Sequence, residues 1–110
     1  MSEQRKAERI KVDLRARWEG AVAQHEGSIV DLSSSGCFIL TNDKVNFGEL
    51  IRIEIELFND NWVYLWGEVV YQISEMGFAL RLTGTDDEGQ RALNEYLHWG
   101  LMMTRTPVTV

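Results

Sequence analysis

The segment ELIRIEIELF, residues 49 to 58, constrains the fold more than any other stretch of this chain. Ile51, Ile53, Ile55 and Leu57 alternate with Arg52, Glu54 and Glu56. That period of two fits an extended strand with one buried and one solvated face. A helix would scatter the same apolar residues around its circumference. The polar cluster Asn59, Asp60 and Asn61 follows, then a second extended segment, WVYLWGEVVYQI at 62 to 73, so the two read as a hairpin. Trp62, Tyr64 and Trp66 share one face of the second strand. They are read as packing aromatics in preference to the lining of a groove.

The same alternation recurs along the chain. KVDLRARW, residues 11 to 18, sets Val12, Leu14, Ala16 and Trp18 against Lys11, Asp13, Arg15 and Arg17. Gly20 permits a turn into AVAQHEGSIVD at 21 to 31, where Gly27 suits a bulge. GCFILT at 36 to 41 and GFALRL at 77 to 82 complete the set, and no proline occurs before Pro107. Six short strands joined mostly by short links predict a mainly β fold with mainly antiparallel pairing, a closed barrel or a sandwich.

The period changes after Gly84. Thr85 and Glu88 have the spacing of a capping box, and Asp86, Asp87 and Glu88 suit the positive end of a helix dipole. Ala92, Leu93, Tyr96, Leu97 and Trp99 supply an apolar stripe, and Gly100 is placed to end the helix. Gly89 weakens the first turns by roughly 1 kcal/mol relative to alanine, so docking on the β body must help. The expected division is a basic arm at 1–10, a β body at 11–84, a C-terminal helix at 85–99 and a tail at 100–110. A chain of 110 residues reads as one domain.

Charge narrows the function classes. The net charge is −6, yet residues 1 to 17 carry six basic and three acidic side chains, a balance of +3. Residues 18 to 110 carry five basic and fourteen acidic ones, a balance of −9. So acidic a body argues against binding a nucleic-acid polymer. The apolar runs are only a few residues long, which argues against membrane insertion, and the N-terminus lacks the apolar region of a secretory leader. A single cysteine, Cys37, excludes an internal disulfide and a cysteine-rich metal site. These features suit a cytoplasmic protein.

Motifs for chemistry are sparse. His25 and His98 have no ligand partner at metal-binding spacing, so no metal is expected. Cys37, next to Phe38, reads as a small buried residue. The SSSG run lacks the preceding glycine of a nucleophile elbow, and no phosphate-binding glycine loop is present. The expectation is a protein that is not an enzyme and carries no cofactor.

Two short motifs remain. Arg5 and Arg9 are four apart in RKAER, just before the first strand; Asp31, Ser33 and Gly36 form DLSSSG between the second and third. Each is weak alone. Together, in a six-stranded body followed by a helix, they resemble the PilZ domain, a bacterial receptor module for cyclic di-GMP, over roughly residues 4 to 99. The resemblance implies a six-stranded antiparallel β-barrel with a C-terminal α-helix. It implies that Arg5 and Arg9 clamp guanine and phosphate from a mobile arm that orders on binding. Asp31 and Ser33 would hold a guanine edge, Gly36 would shape the turn, and Tyr71 would lie near the ligand. Ser34 and Ser35 receive no role.

The residue chemistry agrees with that ligand. A guanidinium fork donates two bonds to a guanine edge or to phosphate oxygens, and it also stacks on a purine face. A carboxylate accepts from guanine N1–H and N2–H. The chain departs from the family pattern at Gln4, where many members have a further arginine, which bears on whether one nucleotide or a stacked pair binds. It also keeps only Gly77 of a glycine-rich stretch before the last strand. With no output domain in 110 residues, an unidentified protein effector is implied. The alternative is a PilZ-like interaction module that does not bind the nucleotide.

Overall fold

The computed structural model describes residues 9–19, 24–58 and 60–105. Six strands form a closed barrel: β1 (Ile10–Glu19), β2 (Gln24–Leu32), β3 (Gly36–Leu40), β4 (Leu50–Glu56), β5 (Trp62–Ile73) and β6 (Gly77–Gly84). A helix, α1 (Asp87–Arg105), follows. The order around the barrel is β1-β2-β3-β6-β5-β4, every pair is antiparallel, and β4 closes on β1. Closure removes the unpaired edges that an open sheet would expose.

The alternating residues fill the interior as their period requires. Ile29, Ile39, Ile53, Ile55, Leu65 and Phe78 are buried at the centre, and the rings of Trp18 and Phe78 form a T-shaped pair with centroids 5.5 Å apart. Removing one such side chain, as in Ile53→Ala, costs about 2–5 kcal/mol because the barrel cannot collapse onto the void. Trp62, Tyr64 and Trp66 face outward, because Val63, Leu65, Gly67 and Val69 are the inward set of β5. Two of them, Trp62 and Tyr64, carry arginines over their rings on the outside of the barrel. Arg17 lies 4.0 Å over the Trp62 ring and Arg52 lies 4.0 Å over Tyr64.

Three details differ from the sequence expectations. The bulge of β2 falls between Ile29 and Asp31, not at Gly27, whose close neighbours are instead the Leu40 carbonyl and the Trp18 ring. The helix is capped by Asp86, whose Oδ1 accepts from Gly89 N–H at 2.7 Å, while the Thr85 hydroxyl donates to the Tyr64 carbonyl at 2.9 Å. No capping box is therefore made by Thr85 and Glu88. The helix also does not stop at Gly100. It runs on to Arg105, and Gly100 is buried against Ile10, where a Cβ would come within 2.5 Å of Ile10 Cδ1. That glycine serves helix–barrel contact, beside Leu93, Tyr96 and Leu97, and is not a stop signal.

Candidate functional site

Arg9 and the polar turn meet on the outer face of the barrel. Arg9, directly before β1, donates from Nη1 to Asp31 Oδ1 of β2 at 2.6 Å. Arg5 lies outside the described residues. Asp31 points outward only because of the β2 bulge. Ile29 faces Ile39 in the core, and two residues later Asp31 should also point inward, yet the extra residue Val30 turns it outward opposite Phe38. The same device acts twice more at this level. The register of β1 shifts between Lys11 and Leu14, and that of β5 shifts between Val69 and Tyr71. The result is one lateral row of register partners, Lys11, Asp31, Phe38, Ala79 and Tyr71. Tyr71 is half exposed, with its ring 6.2 Å from that of Phe38.

The turn after Asp31 is built around Ser33. Its Oγ accepts the N–H groups of Ser35 and Gly36, each at 3.2 Å, and the Ser33 N–H donates to the Gly36 carbonyl at 2.9 Å. Ser33 is 1% exposed, the one buried polar side chain among the described residues. Its hydroxyl thus works on the turn, while Ser34 and Ser35 occupy the surface. Gly36 packs so close to β6 that a Cβ would sit 2.5 Å from the Leu80 carbonyl oxygen, so close approach is its role here. Opposite Gly36 on β6 is Arg81, paired with Glu68 of β5 at the rim of the same face.

Beneath the turn, Cys37 points into the core. Burial pushes its thiol from 9.0 up to about 12, the Asp31 charge adds to the rise, and Arg9 partly offsets it. Such a thiol is protonated at neutral pH and is not a nucleophile. His25 bonds Asp43 Oδ2 through Nδ1 at 2.9 Å and stacks on Trp18. Among the described residues no three His, Cys, Asp or Glu side chains are grouped to hold a metal ion, and no helix is long and apolar enough to cross a membrane. A groove of about 320 Å³ between β5 and α1, lined by Trp62, Tyr64, Gly89, Ala92 and Glu95, includes none of the expected site residues.

The sequence reading missed Phe38, Ala79 and Arg81. Phe38 lies two residues past the motif glycine, but strand alternation does not say which way it points. Ala79 and Arg81 carry no motif at all, and only the pairing of β6 with β3 brings them here.

The family model of the PilZ domain matches residues 3–99 of this sequence. The chain belongs to the PilZ domain family. No curated protein matches it. Among solved structures, the PilZ domain of YcgR from Escherichia coli, determined with c-di-GMP, superposes with a TM-score of 0.75 at 14% identity. That match covers 94% of this chain and 95% of the other. The K. pneumonia MrkH–c-di-GMP complex matches with a TM-score of 0.81 at 16% identity, covering 94% of this chain and 55% of MrkH. The Bacillus subtilis inhibitor of motility MotI/DgrA gives 0.77 at 18% identity, covering 94% and 54%. This PilZ chain therefore spans about half the length of MotI/DgrA and of MrkH, and at these identities the likeness is one of fold.

Proposed function

We propose that this PilZ domain is a receptor for cyclic di-GMP, held by Arg5, Arg9, Asp31, Ser33 and Gly36 with Tyr71 alongside. The observation that carries the reading is the meeting of Arg9 and Asp31 at 2.6 Å on the outer face, beside the turn that Ser33 ties together. Family membership supports it, as do the structural neighbours YcgR and MrkH, each determined with the nucleotide.

In the ligand-free protein the cation and the carboxylate satisfy each other. A guanine offers both of them a substitute: O6 and N7 accept from a guanidinium, and N1–H and N2–H donate to a carboxylate. Exchange of one exposed ion pair for two charge-assisted base contacts favours binding, since exposed pairs contribute only about 0–1 kcal/mol. Ser33 acts by fixing the turn so that its backbone meets the ligand in one geometry. The released arm, with Arg5 and Arg9, then closes over the nucleotide, and this ordering is what a protein effector reads. Nothing in the scheme calls for catalysis or a cofactor.

A thermal-shift titration tests this reading. Cyclic di-GMP at 100 times its dissociation constant should stabilise the domain by about 2.7 kcal/mol, while GMP at the same concentration should leave the melting temperature unchanged. Equal shifts with both would argue for unspecific anion binding, and no shift with either would favour the non-binding interaction module.

A further inference from the structure

Lys11 is a cation without a counterion on the face that carries Arg9 and Asp31. It stands opposite Asp31 in the β1–β2 ladder, and opposed residues of an antiparallel pair share one face with Cβ atoms about 4.5–5.5 Å apart. Two basic side chains, Arg9 and Lys11, therefore flank one carboxylate. Arg9 takes it, with Nη1 2.6 Å from Asp31 Oδ1. Lys11 is exposed and, among the described residues, pairs with no acid. By contrast Arg81 is held by Glu68, Arg17 by Glu54 and Arg15 by Glu56. The corner around Asp31 thus keeps one positive charge in surplus, on a chain whose residues 18 to 110 sum to −9.

We propose, resting on the cyclic di-GMP reading, that Lys11 is a phosphate-binding residue of the nucleotide site. It lies outside both short motifs. A guanine edge calls for two donors in one plane, which a guanidinium presents and an ammonium does not. An ammonium is a compact charge with three rotatable donors on a flexible stem, and it suits a phosphate oxygen. The ligand brings both kinds of group, guanine edges for Arg9 and Asp31 and phosphates for Lys11. The pairs Arg9–Asp31 and Arg81–Glu68 are each neutral overall, so the surplus at Lys11 is what gives an anion a net attraction there. Acidic groups farther off on the body count for less, since the screening length is about 8 Å at physiological salt. Without Lys11 the guanine contacts remain, so binding weakens and is not abolished.

Calorimetric titration of the full chain with cyclic di-GMP tests this at about 0.1 M and about 1 M salt, between which the screening length falls from about 10 to about 3 Å. At the lower salt Lys11→Gln should bind about tenfold more weakly than the parent, the lower end for a hydrogen bond to a charged group. Lys11→Arg keeps the charge and should bind like the parent. At about 1 M salt the gap between the parent and Lys11→Gln should close. Arg91→Gln removes another exposed charge, on α1, that pairs with no acid among the described residues, and it should change nothing. Without ligand, Lys11→Gln should melt with the parent, because the side chain is exposed. Equal binding by the parent and Lys11→Gln overturns the role of Lys11 and leaves the receptor reading standing. A loss that persists at about 1 M salt, that Lys11→Arg does not recover, or that Arg91→Gln shares overturns it equally. If the parent itself gives no heat, the receptor reading fails and the role of Lys11 falls with it.

Discussion

Arg9 and Asp31, twenty-two residues apart in the chain, share a 2.6 Å hydrogen bond on the outer face of the barrel. The pair is exposed, with 55% and 28% of the two side chains accessible, so its own contribution to stability is small. Arg9→Ala should therefore change the free energy of unfolding by no more than about 1 kcal/mol in a urea melt. A loss of several kcal/mol would mean that the pair holds the barrel together and is not reserved for a ligand.

Ser33→Ala should behave in the opposite way. It leaves the N–H groups of Ser35 and Gly36 without their acceptor, the latter in a buried position. A destabilisation of about 1–3 kcal/mol is expected, whereas Ser34→Ala, at an exposed position, should be near neutral. Urea melts of the two variants measure the difference, and equal effects would contradict the turn-fixing role.

Gly36→Ala tests the close approach of β3 to β6. The new Cβ would meet the Leu80 carbonyl oxygen at 2.5 Å, backbone that cannot move without disturbing the register of the whole pair. About 1–3 kcal/mol of stability should be lost, the range for overpacking. Amide exchange at Cys37 and Leu80 should accelerate more than exchange in β4.

Much of the barrel was legible in the sequence because one face of each strand is buried. The span expected for the fifth strand, 62 to 73, is that of β5, and Ile51, Ile53, Ile55 and Leu57 are inward as their period requires. The site was legible as a set of residues but not as a geometry. The bulges at Val30 and Val70 lie at apolar positions that fit either phase of the alternation, so the outward direction of Asp31 and Tyr71 followed from the family resemblance and not from strand periodicity. The aromatic run 62, 64 and 66 could not be oriented for the same reason, since both of its faces are apolar. Gly100 misled because glycine serves equally to end a helix and to let it lie close to a strand, and only the packing of Ile10 decides between them.

The helix start provides a further check. Asp86, not Thr85, satisfies the first turn, so Asp86→Ala should cost about 0.5–2 kcal/mol and Glu88→Ala little. A larger loss for Glu88→Ala would restore the capping box.

Cys37 gives a pH signature. Its thiol is raised to about 12 in the folded protein from 9.0, chiefly by burial. Above 9.0 the unfolded chain loses this proton while the folded one retains it, so the contribution is complete below 9.0 and is lost as pH rises toward 12. The stability of the parent should fall more steeply across that window than that of Cys37→Ala, and a thiol reagent at pH 8 should leave the folded protein unmodified.

The central claim is that the Arg9–Asp31 face receives cyclic di-GMP, and calorimetric titration of the parent beside Arg9→Ala tests it most directly. Saturable binding by the parent is expected, weakened in Arg9→Ala by about 1–3 kcal/mol, the range for a bidentate contact to guanine. Equal binding by the two proteins, or no heat from the parent at about 100 µM nucleotide, a level that reveals any micromolar site, would contradict it.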